Sequence, residues 1–247
     1  MIKNSSTKDL KLTSNERLFL DASSIFKPKK YGNIKPNGFK IYTFNAGFKK
    51  KYDDLLVIIF DDIVSSINIY SKTSTPSAPI IWDKKNNEGK VRALIVNSGN
   101  ANAHTGKEGL KLIDSYVNFL SKLINCDKKH ILVSSTGVIG ELFDPKAIIN
   151  QLNKINNSKV SNLLDAAIAI MTTDTYPKIS IDKVTIDNKR IKIYGIAKGS
   201  GMIQPNMGTM LAYIFTDLNI SSKVLQRILI NENDKTFNSI TVDSDTS

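Results

Sequence analysis

A threonine preceded by glycine, in a loop that cannot form regular structure, is a candidate nucleophile. The stretch KGSGMIQPNMGTML, Lys198 to Leu211, holds one at Thr209. Gly199, Gly201, Gly208 and Pro205 rule out a continuous helix or strand, so the loop can gather several backbone N–H groups and the Lys198 ammonium near one point. The run that follows, MLAYIFTD (Met210 to Asp217), is apolar and rich in strand formers, which places Thr209 where a loop meets a buried strand. A Gly-rich turn feeding a core strand explains the same composition without any chemistry.

Two other polar loops carry suitable groups. The segment VRALIVNSGNANAHTGKEG predicts a strand over Val91 to Asn97, then a small-residue loop. A helix follows, opened by a Thr105–Glu108 capping box, with apolar residues at 110, 113, 117, 120 and 124. That loop either presents amides to an anion or is a tight connection needing Gly99 and Gly106. In HILVSSTGVIG, a strand over Ile131 to Val133 turns through Ser134, Ser135, Thr136 and Gly137. A Thr-Gly pair at a strand exit can aim one hydroxyl and one backbone N–H at a developing oxyanion, though an ordinary turn reads the same way. The chain has two histidines, His104 and His130, and neither is accompanied by a Ser or Cys nucleophile with a third orienting partner, which argues against a His-based triad.

These loops need a frame. The 247 residues, 41% of them hydrophobic, suffice for one large domain or two small ones. No apolar run approaches the roughly 20 residues of a membrane helix, and Asp9, Glu16 and Asp21 interrupt the start of the chain, so no membrane association, secretory signal or transit peptide is expected and the default address is cytoplasmic. The single cysteine, Cys126, has no partner for an internal disulfide and no metal-ligand spacing around it. The net charge of +11 comes mostly from dispersed lysines with short runs at Lys27 to Lys30 and Lys49 to Lys51, which reads as a solvated surface rather than a nucleic-acid footprint. Residues 1–33 read as a polar extension; short strands follow, including a continuous apolar run over Leu55 to Phe60 and a β-rich stretch over Ile63 to Tyr70. Asp144 and Pro145 mark a helix start, Ser158 to Met171 reads as a helix, and a hairpin turns near Asp187 and Asn188. The fold class expected is α/β, with mixed sheets layered against helices.

The nucleophile stretch resembles the processing site of the ornithine acetyltransferase (glutamate N-acetyltransferase) family, KGSGMI-x-PNMATML, differing at Gly208, where the family usually has Ala. Asn97 to Gly109 matches the family block NSGNANA-x-TG-x-x-G, with His104 where Cys is frequent; SSTGVIG and MTTDTYPK match two more. The resemblance covers roughly Ile34 onward and implies an N-terminal-nucleophile-like ornithine acetyltransferase fold. It also implies an α-chain region over 34–208 and the start of a β-chain region over 209–247. By the same match, Thr136 and Gly137 form the oxyanion hole, Thr175 and Thr209 contact substrate, and cleavage falls between Gly208 and Thr209; Lys198, a positive charge preceding the loop's three glycines, fits substrate-carboxylate binding rather than a solvated lysine. Attack by the Thr209 hydroxyl on the Gly208 carbonyl exchanges amide for ester, and hydrolysis then unmasks an α-amine with an ordinary pKa of about 7.7–8.0, a base on the same residue as the nucleophile. The implied reaction moves acetyl from N-acetylornithine to glutamate through acetyl-Thr209, in arginine biosynthesis, without metal or cofactor. Some members also take acetyl-CoA, and the implied assembly is a heterotetramer of two α and two β chains. The sequence ends at ITVDSDTS, inside what resembles the family's ITVDGDTSTND block, with Ser244 in place of Gly. Two further readings stand beside the transferase: an amidase or aminopeptidase that uses the same Thr but gives its acyl group to water and, since family chains continue beyond this point, an inactive shortened member.

Overall fold

Strand β1 (Phe39–Phe44) runs antiparallel to β2 (Leu55–Ser65), pairing Phe39 with Phe60 and Phe44 with Leu55. The computed structural model describes residues 32–203 and 210–244. Strand β3 (Lys90–Asn100) continues the sheet antiparallel to β2, with a register shift between Ile59 and Val64, and β4 (Ile131–Val138) lies parallel to β3. The order is β1-β2-β3-β4. A parallel pair needs a crossover, and the chain between β3 and β4 supplies it as helix α2 (Gly106–Leu123). Helix α1 (Ala78–Asn86) precedes β3, and α3 (Lys146–Leu152) follows β4.

Both faces of this sheet are covered, which is why Leu55 to Ile58 are all fully buried. On one face Leu55, Val57, Ile95 and Val133 pack with Trp82 of α1, Ile113 and Val117 of α2, and Ile148 of α3. On the other, Leu56, Ile58, Leu94 and Val96 meet helix α4 (Leu163–Ala169) and a second sheet, represented by Ile196 and Phe215. That sheet is antiparallel in the order β5 (Lys178–Ile186), β6 (Lys189–Lys198), β7 (Leu211–Thr216). Asp187 and Asn188, at φ +48° and +60°, make the two-residue turn between β5 and β6 with the positive-φ backbone such hairpins require. Helix α5 (Ser222–Lys235) follows β7; the Ser221 side chain accepts a hydrogen bond from the Val224 N–H at its start. The layered α/β reading of the sequence is the architecture observed.

Local expectations failed where a tertiary partner outvoted the pattern. The strand expected over Ile63 to Tyr70 stops at Ser65, because β3 begins opposite it at Lys90 and, among the described residues, no other strand pairs with residues 66–70. The helix expected from Ser158 starts five residues later: the Ser161 N–H donates to the Ile41 carbonyl, and the helix waits for Asn162, which forms a reciprocal capping box with Asp165. The Thr105–Glu108 box does not form. Thr105 Oγ1 donates instead to Asn102 Oδ1 at 2.7 Å, and Glu108 pairs with Lys111. At the next helix, Asp144 Oδ1 accepts from the Lys146 N–H and Pro145 sits at the boundary, within a residue of the expected position.

Candidate active site

The site is built on the C-terminal ends of the parallel pair β3 and β4. Ser98 pairs with Thr136 and Gly99 with Gly137. Gly137 is at φ +133°, and a Cβ there would lie 2.3 Å from the Gly99 carbonyl carbon and 2.6 Å from the Asn100 nitrogen. Only glycine allows the strands to approach so closely. Buried asparagines fix the loops beyond. Ser135 Oγ donates to Asn97 Oδ1 (2.6 Å), Asn97 Nδ2 to the Asn100 carbonyl, and Asn100 Nδ2 to the Glu141 carbonyl (both 2.8 Å). Backbone bonds from Ala101 N–H to Val138 and from Gly140 N–H to Ala103 complete the tie. Thr136 and Gly137 are thus part of β4 itself, which runs on to Val138 where a turn from Ser134 was expected because β3 pairs with it throughout, and they lie at the rim of a cleft of about 1900 Å³.

Lys198 closes this end of the cleft. It is the last residue of β6, only 4% exposed, and its Nζ donates to Thr136 Oγ1 at 3.0 Å. Burial lowers its pKa, Asp174 opposes that shift, and Lys178 adds to it. The Asp174 carboxylate is inaccessible to solvent and accepts from Lys178 Nζ and the Gly199 N–H (each 2.7 Å) and from the Thr172 N–H (3.2 Å). Burial alone would raise its pKa, but these donors outweigh it and hold the carboxyl below its usual value. Asp174 therefore fixes the backbone immediately after Lys198. The neighbouring Thr175 is exposed and does not line the cleft, whereas Thr172 and Thr173 do.

Two contributors were not legible as such in the sequence. Lys49, read there as part of a solvated basic run, turns inward: its Nζ donates to the carbonyls of Ala169 (3.2 Å) and Met171 (3.1 Å) at the end of α4. Burial pulls its pKa down to about 8, against the pull of Asp54, Asp53 and Asp174 and with a small push from Lys198. Three consecutive lysines give no sign of which one faces inward. The second is Asp243, whose carboxylate accepts from the backbone N–H groups of Met202 and Ile203. Its sequence neighbourhood carried the family pattern but no geometric role.

Gly208 and Thr209 lie outside the described residues. The residues flanking them do not: Gly201 and Met202 on one side and Met210 on the other line the same cleft as Thr136, Gly137, Lys198 and Lys49. Among the described residues no three His, Cys, Asp or Glu side chains converge as a metal site would require, and no helix is long and apolar enough to cross a membrane. A cleft with a hydroxyl and a glycine peptide at one rim, a buried ammonium hydrogen-bonded to that hydroxyl, and Met202 and Met210 along its lining can host acyl chemistry.

Comparison with known proteins is consistent with that chemistry. The chain is 42% identical over 214 residues to the arginine biosynthesis bifunctional protein ArgJ of Bartonella henselae, covering 85% of this chain and 52% of the relative. It is 42% identical over 224 residues to that of Mesorhizobium japonicum, covering 89% and 54%. The chain thus spans about half the length of the curated relatives it matches. The crystal structure of the Bacillus halodurans arginine biosynthesis bifunctional protein ArgJ superposes with a TM-score of 0.64 at 33% identity, covering 71% of this chain and 92% of that one. The Mycobacterium tuberculosis ornithine acetyltransferase, complexed with ornithine, gives 0.59 at 25% identity, covering 70% and 94%. Since the sequence model of the ArgJ family matches residues 40–247, from the first strand through the Gly-rich stretch after Lys198 to the last residue, the chain belongs to the ArgJ family.

Proposed function

We propose that these residues form the nucleophile-bearing part of a self-cleaving acetyltransferase that moves an acetyl group from N2-acetyl-L-ornithine to L-glutamate in arginine biosynthesis. The observation that carries this reading is the Lys198–Thr136 contact. An ammonium can only donate, so with Lys198 Nζ on Thr136 Oγ1 the hydroxyl proton of Thr136 must be given elsewhere. The Gly137 peptide beside it sits at the rim of the cleft that Met202 and Met210, described residues on either side of Thr209 in the sequence, also line. A hydroxyl committed to donation next to a glycine peptide is what a developing oxyanion needs.

In the first step the Thr209 hydroxyl attacks the Gly208 carbonyl, the C–N bond breaks in favour of an ester, and water hydrolyses the ester. The Thr209 α-amine so exposed, with an unperturbed pKa of about 7.7–8.0, takes the proton from its own hydroxyl. That oxygen attacks the acetyl carbonyl of N-acetylornithine while Thr136 and Gly137 stabilise the oxyanion. Ornithine leaves with the proton, and the α-amine of glutamate then takes the acetyl group from the ester. The buried Lys198 ammonium, with donors left over, serves the substrate carboxylate; Thr175, exposed and outside the cleft lining, contacts substrate in this reading only through the family match. The ornithine bound in the Mycobacterium tuberculosis relative supports the substrate class. Because the relatives are about twice as long, the complete reaction is proposed for their full length, and acetyl-CoA is a second acetyl donor to test there.

Intact-mass measurement tests the first step. Two fragments divided between Gly208 and Thr209 are expected, and one unbroken mass for Thr209→Ala. A wild-type chain that stays whole through prolonged incubation would overturn the self-cleavage. With full-length protein, ornithine release that proceeds equally with and without glutamate would mean that water takes the acyl group, and would favour the amidase reading.

A further inference from the structure

The segment 240–244 grips the chain ahead of the nucleophile loop. Asp243 Oδ1 accepts from the Ile203 N–H at 3.0 Å and Oδ2 from the Met202 N–H. The Ile203 carbonyl accepts from the Val242 N–H at 2.9 Å, and Thr241 Oγ1 donates to the same carbonyl at 3.4 Å. Met202 is held at φ +54°, a conformation costly for a side chain of that size. The approach is close enough that a Cβ on Gly201 would lie 3.3 Å from Asp243 Oδ2. Ile203 itself is 6% exposed, and its Cδ1 sits where a Cβ on Gly199 would meet it at 2.7 Å. From Lys198 to Ile203 the chain is therefore pinned by two carboxylates, Asp174 at the Gly199 N–H and Asp243 at the Met202 and Ile203 N–H groups.

We infer that Asp243 is a positioning residue for cleavage of the Gly208–Thr209 bond, and that its hydrogen bonds afterwards join the two product chains. The inference rests on the self-cleavage reading. Self-attack needs the bond presented in one geometry, and misplacement by about 1 Å costs on the order of 100-fold in rate. Two backbone N–H groups on one carboxylate are charge-assisted bonds that hold a strained residue against relaxation. Asp243 lies on the far side of the cut from Met202 and Ile203, so the contact that orders the precursor becomes an interchain contact in the product. An unstructured C-terminal segment could not do either.

The test follows the first-order appearance of the fragments by mass spectrometry in wild type, Asp243→Asn, Asp243→Glu and Asp243→Gly. Asn keeps one acceptor oxygen and loses the charge; cleavage is expected to slow about tenfold, equivalent to about 1.4 kcal/mol of barrier. In Asp243→Gly, added formate is expected to restore part of the rate, a rescue that a general loss of stability would not show. Wild-type rates in Asp243→Asn and Asp243→Gly would overturn the assignment while leaving self-cleavage intact. Amide exchange measured in the uncut Thr209→Ala chain keeps the two readings apart. Protection of Met202 and Ile203 that disappears on adding Asp243→Asn supports the clamp whether or not wild type cleaves. Equal exchange with and without the Asp243 carboxylate refutes it.

Discussion

Gly137→Ala tests the frame of the site directly. The added Cβ would stand 2.3 Å from the Gly99 carbonyl carbon and 2.6 Å from both the Gly99 oxygen and the Asn100 nitrogen, all main-chain atoms of β3. β3 cannot retreat, since the Cβ position of Gly99 is itself 2.8 Å from Phe48 Cβ. Alanine at φ +133° adds backbone strain of about 1–3 kcal/mol to an overpacking cost of about 1–3 kcal/mol, so a loss of about 2–6 kcal/mol is expected. Gly140→Ala is the control: its φ is +87°, but no atom lies within 4 Å of the new Cβ, so only the conformational cost of about 1–2 kcal/mol remains. Urea unfolding followed by Trp82, the one tryptophan and only 8% exposed, measures both. Variants agreeing within about 0.5 kcal/mol would refute the argument that β3 and β4 meet too closely for a side chain.

Asp174→Asn removes the charge that Lys178 Nζ, the Gly199 N–H and the Thr172 N–H converge on, and should cost about 2–3 kcal/mol at pH 7. Because the folded-state pKa lies below 3.8, the stabilisation is present above that value and lost as pH falls through the depressed one; the gap between wild type and variant should close in acid, and a gap independent of pH would contradict the assignment. Asp83 presents the opposite case. It is 5% exposed, accepts the Val133 N–H at 3.1 Å, and burial raises its pKa well above 3.8, so the folded state binds the extra proton and stability falls as pH rises above that value. Asp83→Asn keeps an acceptor for Val133 and does not titrate; it should melt above wild type at pH 7, with the advantage shrinking toward pH 4, and a variant equally weakened at both pH values would refute this.

The sequence by itself determined the elements whose local chemistry is unambiguous. The apolar run Leu55 to Phe60 had to be a covered strand, and Asp187-Asn188 had to be a tight turn. The Gly-rich stretch after Lys198 had to leave β6, and its motif, with those at Asn97 and Ser134, identified the family. Local pattern failed at Thr105, Ser158 and Ile67, where the winning partner was Asn102, Ile41 or a missing strand, none of which a window of neighbours can contain. Only the tertiary structure decided that Lys198 reaches Thr136 from sixty-two residues away, that Lys49 alone of its run turns inward, and that Asp243 holds Met202 and Ile203. Those contacts are set by how β6 packs across the first sheet and by where the segment 240–244 returns. Spacing along a chain encodes the period of a helix or strand, whereas the direction in which a charged side chain is desolvated depends on what the rest of the chain puts above it.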